Sequence, residues 1–299
     1  MNCESLICNC KNRWKIDDCP VPEEKFVNFE NTLPDFIGRF KGRECKIIEE
    51  LLAQYDYFTH SSINTSLKEL HEKVLNVASI TEESRVIYCV LPSSNGKLNS
   101  SSDYLSEYRQ INRINKDVAI QNMDDFDLWD IVETVVFIDD ICGSGSTMEK
   151  FFKKKKNMEK ISGKSIVYAV VYAMKDSIEY VNKLAESYGI SLKVVTLHER
   201  DKAFIRLGDK KRETFGKMSK HSGISKESDI YGFKQSEATV SFYNNTPNNT
   251  LGLFAIDTNQ NKALFHREKT VGTPWIIKAR KKESKRKNEN KALYSKRDK

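Results

Sequence analysis

Apolar positions first recur at helical spacing over residues 44–57, where Ile47, Ile48, Leu51, Leu52 and Tyr55 share one face. They do so again over 66–77, through Leu67, Leu70, Val74 and Val77. This spacing predicts two amphipathic packing helices within an N-terminal helical region, residues 1–80. The period then changes. Residues 85–90 (RVIYCV), 135–138 (VVFI), 166–174 and 192–197 (LKVVTL) are short β-branched and aromatic runs, each the length of a buried strand. Helix-like stretches at 146–157 and 177–188 separate the last three. Apolar strands alternating with helices predict an α/β core over residues 81–200, with a doubly wound, largely parallel sheet.

Beyond residue 198 the pattern is different in kind. Residues 198–228 are charged and irregular, while 238–243 (ATVSFY) and 251–256 (LGLFAI) have strand character on either side of the turn-rich 244–250 (NNTPNNT). The expectation is a C-terminal β-rich hood or subdomain over 201–277. With 39% apolar residues in a chain of 299, there is material for a real core, which excludes a wholly disordered or collagen-like protein. No repeat of solenoid length is present.

Charge changes the picture only at the end of the chain. Residues 278–299 hold eleven Lys and Arg against Glu283, Glu289 and Asp298, a local +8 within an overall +7, so residues 1–277 carry about −1. The basic character belongs to a tail expected to be solvated and disordered. Such a run supports salt-dependent contact with nucleic acid or an acidic partner. Its single aromatic, Tyr294, offers no stacking platform. The longest apolar run, 166–174, is about half of the ~20 residues a spanning helix needs, and residues 1–20 lack a signal-peptide apolar stretch. A cytoplasmic protein without membrane contact is expected. Seven cysteines, odd in number and unevenly spread, suit a reducing compartment. Cys3, Cys8, Cys10 and Cys19 could hold a structural Zn²⁺ through four thiolates, but they lack the paired short spacings of a zinc knuckle and read rather as free or packing thiols.

The chemistry concentrates in residues 135–147, VVFIDDICGSGST. A buried strand ends in two carboxylates, and a Gly/Ser-rich turn leads into a helix beginning near Ser146. Ligands of open α/β sheets bind beyond the strand ends. Gly143 and Gly145 permit tight turns, and the amides and hydroxyls of Ser144, Ser146 and Thr147 can face an anion at the positive end of the helix. Asp139 and Asp140 would repel a phosphate placed on them. They suit a vicinal diol, which donates two hydrogen bonds, or a Mg²⁺ bound through that diol or water. Phosphate at one end and diol plus metal at the other describes a ribose 5-phosphate. An acidic helix cap followed by a glycine turn is the plainer account of the same residues.

This segment resembles the fingerprint of the type I phosphoribosyltransferases: four apolar residues, two acidic ones and a short loop rich in Thr, Ser and Gly. The resemblance implies that Asp139 and Asp140 bind the ribose hydroxyls of phosphoribosyl pyrophosphate, and that Cys142, Gly143, Ser144, Gly145, Ser146 and Thr147 hold its 5-phosphate. It also implies a pyrophosphate loop after an earlier strand, for which residues 92–102 (PSSNGKLNSSS), with Gly96 and Lys97, have the ingredients; a plain surface loop has them too. Residues 103–113, with Tyr108, Arg109 and Arg113, would cover the site or form a solvated helix. In 6-oxopurine enzymes of the family an Asp stands three positions after the acidic pair, where this chain has Gly143, which disfavours hypoxanthine or guanine salvage. No catalytic residue is assigned. Cys142, near a helix N-terminus, is placed where its thiol pKa could fall.

A wider similarity, over most of residues 21–275, is to a phosphoribosyltransferase-like group associated with bacterial conflict, or antiphage, systems. It rests on the helical N-terminal region, the DD-x-x-G-S-G-S-T loop and the segment ATVSFYNNTPNNTLGLF. Asn248 and Asn249 in that segment could read a nucleobase with their amides, or simply stabilise a turn. Two functions follow from the resemblances. One is an enzyme that binds Mg²⁺ and phosphoribosyl pyrophosphate and transfers or cleaves at ribose C1 in a defence system. The other is a non-catalytic module that senses this ligand or a related nucleotide and acts through a partner protein or nucleic acid.

Overall fold

The computed structural model describes residues 3–81, 83–92 and 100–267. Residues up to Arg267 form one compact unit. The chain opens with helices α1 (Cys3–Arg13), α2 (Glu24–Gly38) and α3 (Arg43–Ala53), a short strand β1 (Asp56–Phe58) and the long helix α4 (His60–Ala78). Thr59 caps α4, its hydroxyl accepting from the Ser62 amide. The 44–57 periodicity thus covers two elements, because Gln54 ends α3 and Tyr55 turns the chain into β1.

The α/β core follows: β2 (Val86–Val90), α5 (Ser100–Ile111), β3 (Ala119–Ile120), β4 (Thr134–Cys142), α6 (Ser146–Phe152), α7 (Lys155–Ile161), β5 (Ser165–Met174), α8 (Lys175–Ser187) and β6 (Leu192–Arg200). The four expected strands are all present, and β4 and β6 run several residues further than their apolar stretches. With the short β3, which was not expected, they pair in parallel in the order β3-β2-β4-β5-β6. Val86 lies opposite Thr134, Thr134 opposite Ser165, and Ile166 opposite Leu192. Helices α4 and α5 cover one face through Leu67, Leu70, Tyr104 and Tyr108, and α6 to α8 cover the other through Met148, Phe151, Ile161 and Val181. This is the doubly wound α/β fold expected of the core. The helix expected over 146–157 is interrupted at Lys153 and Lys154, so that α7 starts anew.

The C-terminal segment corrects the expectation of a β-rich hood. After β6 come α9 (Ala203–Leu207), α10 (Asp209–His221), α11 (Glu227–Ile230), the three-residue strand β7 (Val240–Phe242) and α12 (Gly252–Ala255). The run expected to be irregular is largely helical, and LGLFAI forms a helical turn rather than a strand. Gly252 lets this turn sit close against α11: a Cβ there would stand 1.9 Å from the Asp229 carbonyl oxygen, an approach that only glycine allows. β7 pairs in parallel with β1, Asp56 opposite Val240. Phe36, Leu51, Leu52 and Tyr55 from the first helices share one core with Phe215, Leu251, Leu253 and Phe254. The basic tail and the residues 93–99 fall outside the described residues.

Candidate functional site

From β2 the chain crosses through α5 to β3 on one side, then returns to place β4 on β2's other side. The two connections leave in opposite directions, and a crevice opens beyond the carboxyl ends of β2 and β4, the switch point where such sheets bind ligands. Ser101, on the first turn of α5, ties the crevice together. Its hydroxyl donates to the Ile138 carbonyl and accepts from the Leu91 amide at 2.9 Å.

Asp139 and Asp140 lie near the carboxyl end of β4, in this crevice. Both are buried, only 6% and 3% exposed. Ser100 Oγ donates to Asp140 Oδ1 at 3.0 Å and lies 3.4 Å from Asp139 Oδ1. The Tyr168 hydroxyl reaches Asp139 Oδ2 at 3.3 Å, and the Ile141 amide donates to Asp140 Oδ1 at 2.9 Å. No Lys, Arg or His among the described residues forms an ion pair with either carboxylate. Burial pushes both carboxyls above their ordinary range, and the Asp140 charge pushes Asp139 further. The pair therefore titrates as a unit and favours any ligand that brings positive charge or hydroxyl donors.

The following loop wraps a cavity of about 210 Å³, lined by Cys142 to Thr147 together with Lys150, Tyr168, Phe233, Asn248 and Asn249. Gly145 takes a left-handed conformation, φ 68°, and a Cβ there would approach Tyr180 to 2.7 Å. At Gly143 the Asn249 carboxamide fills the space a side chain would need, 2.1 Å from the position of a Cβ. Asn249 is buried and donates to Ser236 Oγ at 3.1 Å. Of the two asparagines singled out in the sequence, Asn249 is thus part of the loop's scaffold, while the exposed Asn248 also lines the cavity. Cys142 corrects another expectation: burial pushes its thiol up to about 12, so helix proximity does not make it a thiolate.

Other residues have moved relative to the sequence reading. Residues 103–113 fall largely within α5, where Tyr108 is fully buried and bonds His71 Nδ1 at 2.7 Å, so this helix packs on the sheet and is not simply a solvated one. Gly96 and Lys97 lie outside the described residues. Cys10 is buried, its thiol raised to about 11, and among the described residues no three His, Cys, Asp or Glu converge as a metal site. Lys150, Tyr168 and Phe233 were not foreseen. Tyr168 sits inside an apolar strand run with nothing to mark it, and Phe233 arrives from 90 residues away in sequence. Lys150 follows the loop by three residues, in the last turn of the short helix α6, and reaches the cavity wall. A larger cavity, about 370 Å³, is lined by Trp14, Tyr57, Phe58, Glu69, His198 and Arg200 among others and has no lining residue in common with the loop cavity.

A parallel sheet whose switch-point strand ends in an acidic pair and a hydroxyl-rich loop defines a phosphoribosyltransferase-like protein. The PRTase-CE family model matches residues 33–267, well over half of the chain, and the protein belongs to that family. No curated protein and no solved structure matches it. No helix among the described residues is long and apolar enough to cross a membrane.

Proposed function

We propose that the protein binds phosphoribosyl pyrophosphate with Mg²⁺ and transfers or cleaves at ribose C1. The observation that carries this reading is the buried Asp139 and Asp140 pair, without a basic partner among the described residues, beside the hydroxyl-lined loop cavity. Two adjacent buried carboxylates are costly unless something neutralises them or donates to them. A ribose diol does the second and a divalent cation the first.

In this reading the loop of Cys142 to Thr147 takes the 5-phosphate, with Lys150 at the cavity wall, and the acidic pair orients the ribose. The pair offers only oxygen ligands, as Mg²⁺ prefers, and too few to hold the ion alone, so ligand oxygens and water complete its shell. Bound there, Mg²⁺ would offset charge on the leaving pyrophosphate. The chain's own contribution is positioning: with both ends of the sugar phosphate fixed, C1 is presented to an acceptor or to water. The resemblance to conflict-associated proteins supports a role in a bacterial defence module.

Calorimetric titration of Mg²⁺ and phosphoribosyl pyrophosphate into the wild type and into Asp139→Asn/Asp140→Asn tests the site. Binding at least tenfold weaker in the double variant is expected. A folded wild type that does not bind would overturn the reading. Pyrophosphate release on adding nucleobases then separates an enzyme from a sensor.

A further inference from the structure

Buried polar atoms without partners are rare in folded proteins, and each one calls for a physical account. Among the described residues three of them gather beyond the acidic pair: the Tyr104 hydroxyl, Glu107 Oε2 and Asn244 Oδ1. Ser100, Tyr104 and Glu107 follow one another at i, i+4 and i+7 along α5, so they share one stripe of that helix. The stripe begins at Ser100, which donates to the acidic pair. At its far end Glu107 Oε1 accepts from the Tyr243 hydroxyl, and Asn244 is the next residue in the chain. Tyr104 lies between. Its hydroxyl is buried and feels the charges of Asp140 and Glu107, which, after burial itself, hold its ionisation well above the ordinary range.

We infer that this stripe and the turn at Tyr243 and Asn244 form the acceptor subsite, and that it takes an amino-substituted nucleobase. The inference rests on the ribose phosphate reading above. Glu107 Oε2 and Asn244 Oδ1 are both acceptors, so the occupant must present N–H donors to them. Seven residues of helix separate Ser100 from Glu107, about 10 Å at ~1.5 Å per residue, the span of a sugar plus an attached heterocycle. Glu107 therefore meets the distal edge of the base and is a recognition residue, remote from C1. An oxo group at that edge would face two lone-pair acceptors, and an acidic base would face a carboxylate. Glu107, Tyr243 and Asn244 are half-buried, which gives the subsite a solvent side.

The test uses product-like nucleotides that fill both halves of the site, titrated calorimetrically with Mg²⁺ into the full chain: AMP against IMP, and CMP against UMP, with ribose 5-phosphate as the reference. Within each pair an amino group with two N–H donors is exchanged for an oxo acceptor, and the adjacent ring nitrogen changes from acceptor to a single N–H donor, so the oxo member can satisfy at most one of the two acceptors. The amino member is expected to bind about tenfold tighter or better, the usual consequence of leaving buried polar groups unpaired in the other. Glu107→Gln keeps the Tyr243 contact and replaces one acceptor with a donor. It should abolish or reverse the preference while leaving ribose 5-phosphate affinity within twofold. Equal affinities within both pairs, or an unchanged preference in folded Glu107→Gln, would overturn the inference. If ribose 5-phosphate itself fails to bind, the underlying reading of the site falls, a separate result.

Discussion

At the scale of single residues, Asp139 and Asp140 hold a stability cost that a ligand relieves. Both carboxyls are raised by burial, so the folded state takes up protons more readily than the unfolded chain does, and at neutral pH their ionisation opposes folding. The ligand-free Asp139→Asn/Asp140→Asn protein should accordingly melt higher than the wild type, by about 1–2 kcal/mol of stability, within the ordinary range of substitution effects. Mg²⁺ with phosphoribosyl pyrophosphate should raise the melting temperature of the wild type only. Differential scanning calorimetry reads both, and a double variant that melts lower would assign the pair a capping role. Gly143 makes a second case. Gly143→Ala drives a methyl into the Asn249 carboxamide, a buried group already committed to Ser236, and should cost about 1–3 kcal/mol, measurable by urea denaturation.

At the scale of elements, the C-terminal segment shows how context overrides a local pattern. LGLFAI alternates too little to distinguish a strand from a helix, and its apolar side chains are drawn into the core made by α2 and α3. Phe254 packs at 5.9 Å from Phe36, 5.5 Å from Tyr55 and 6.3 Å from Phe215, ring centroid to centroid. A single turn of helix therefore joins the N-terminal helices to the segment after β6. Phe254→Ala should cost about 3–5 kcal/mol in chemical denaturation. An effect below 1 kcal/mol would mean that α12 merely rests on that core. β4 makes the complementary point: its apolar half is core, and its polar half is where the switch of strand order leaves room for a ligand.

At the scale of the whole molecule, stability against pH sums opposing groups. Burial lowers the pKa of His71 and of His198, so both stay neutral in the fold, and the stability they support is lost as pH falls through about 6.5, where the unfolded chain takes up protons. The acidic pair acts in the other sense: its penalty is present at high pH and disappears as pH falls through its raised titration toward the unfolded value of about 3.9. Asp124 and Glu149, held at about 2 by their lysines, enter only below about pH 5. Where the pair takes up protons above its unfolded value, it works against the histidines. The melting temperature of Asp139→Asn/Asp140→Asn should fall more steeply with falling pH than that of the wild type. Parallel slopes would show that the pair takes up no protons above its unfolded value.

The sequence by itself determined the central strands, the packing helices and the acidic loop, because each is set by neighbours a few residues apart. A run of Val and Ile needs no distant partner to prefer a strand, and two carboxylates followed by two glycines and three hydroxyl residues keep their order whatever surrounds them. Tertiary structure alone decided the rest. Burial of Asp139 and Asp140 depends on α5 closing over β4; the Asn249 amide reaches Gly143 from a segment about a hundred residues away; α12 is helical because a core waits for it. Tyr104, Glu107 and Asn244 carry no mark in the sequence. They become a group only when the strand order brings α5 and the turn after β7 to the same side of the acidic pair, since long-range proximity is a property of topology and leaves no local pattern to read.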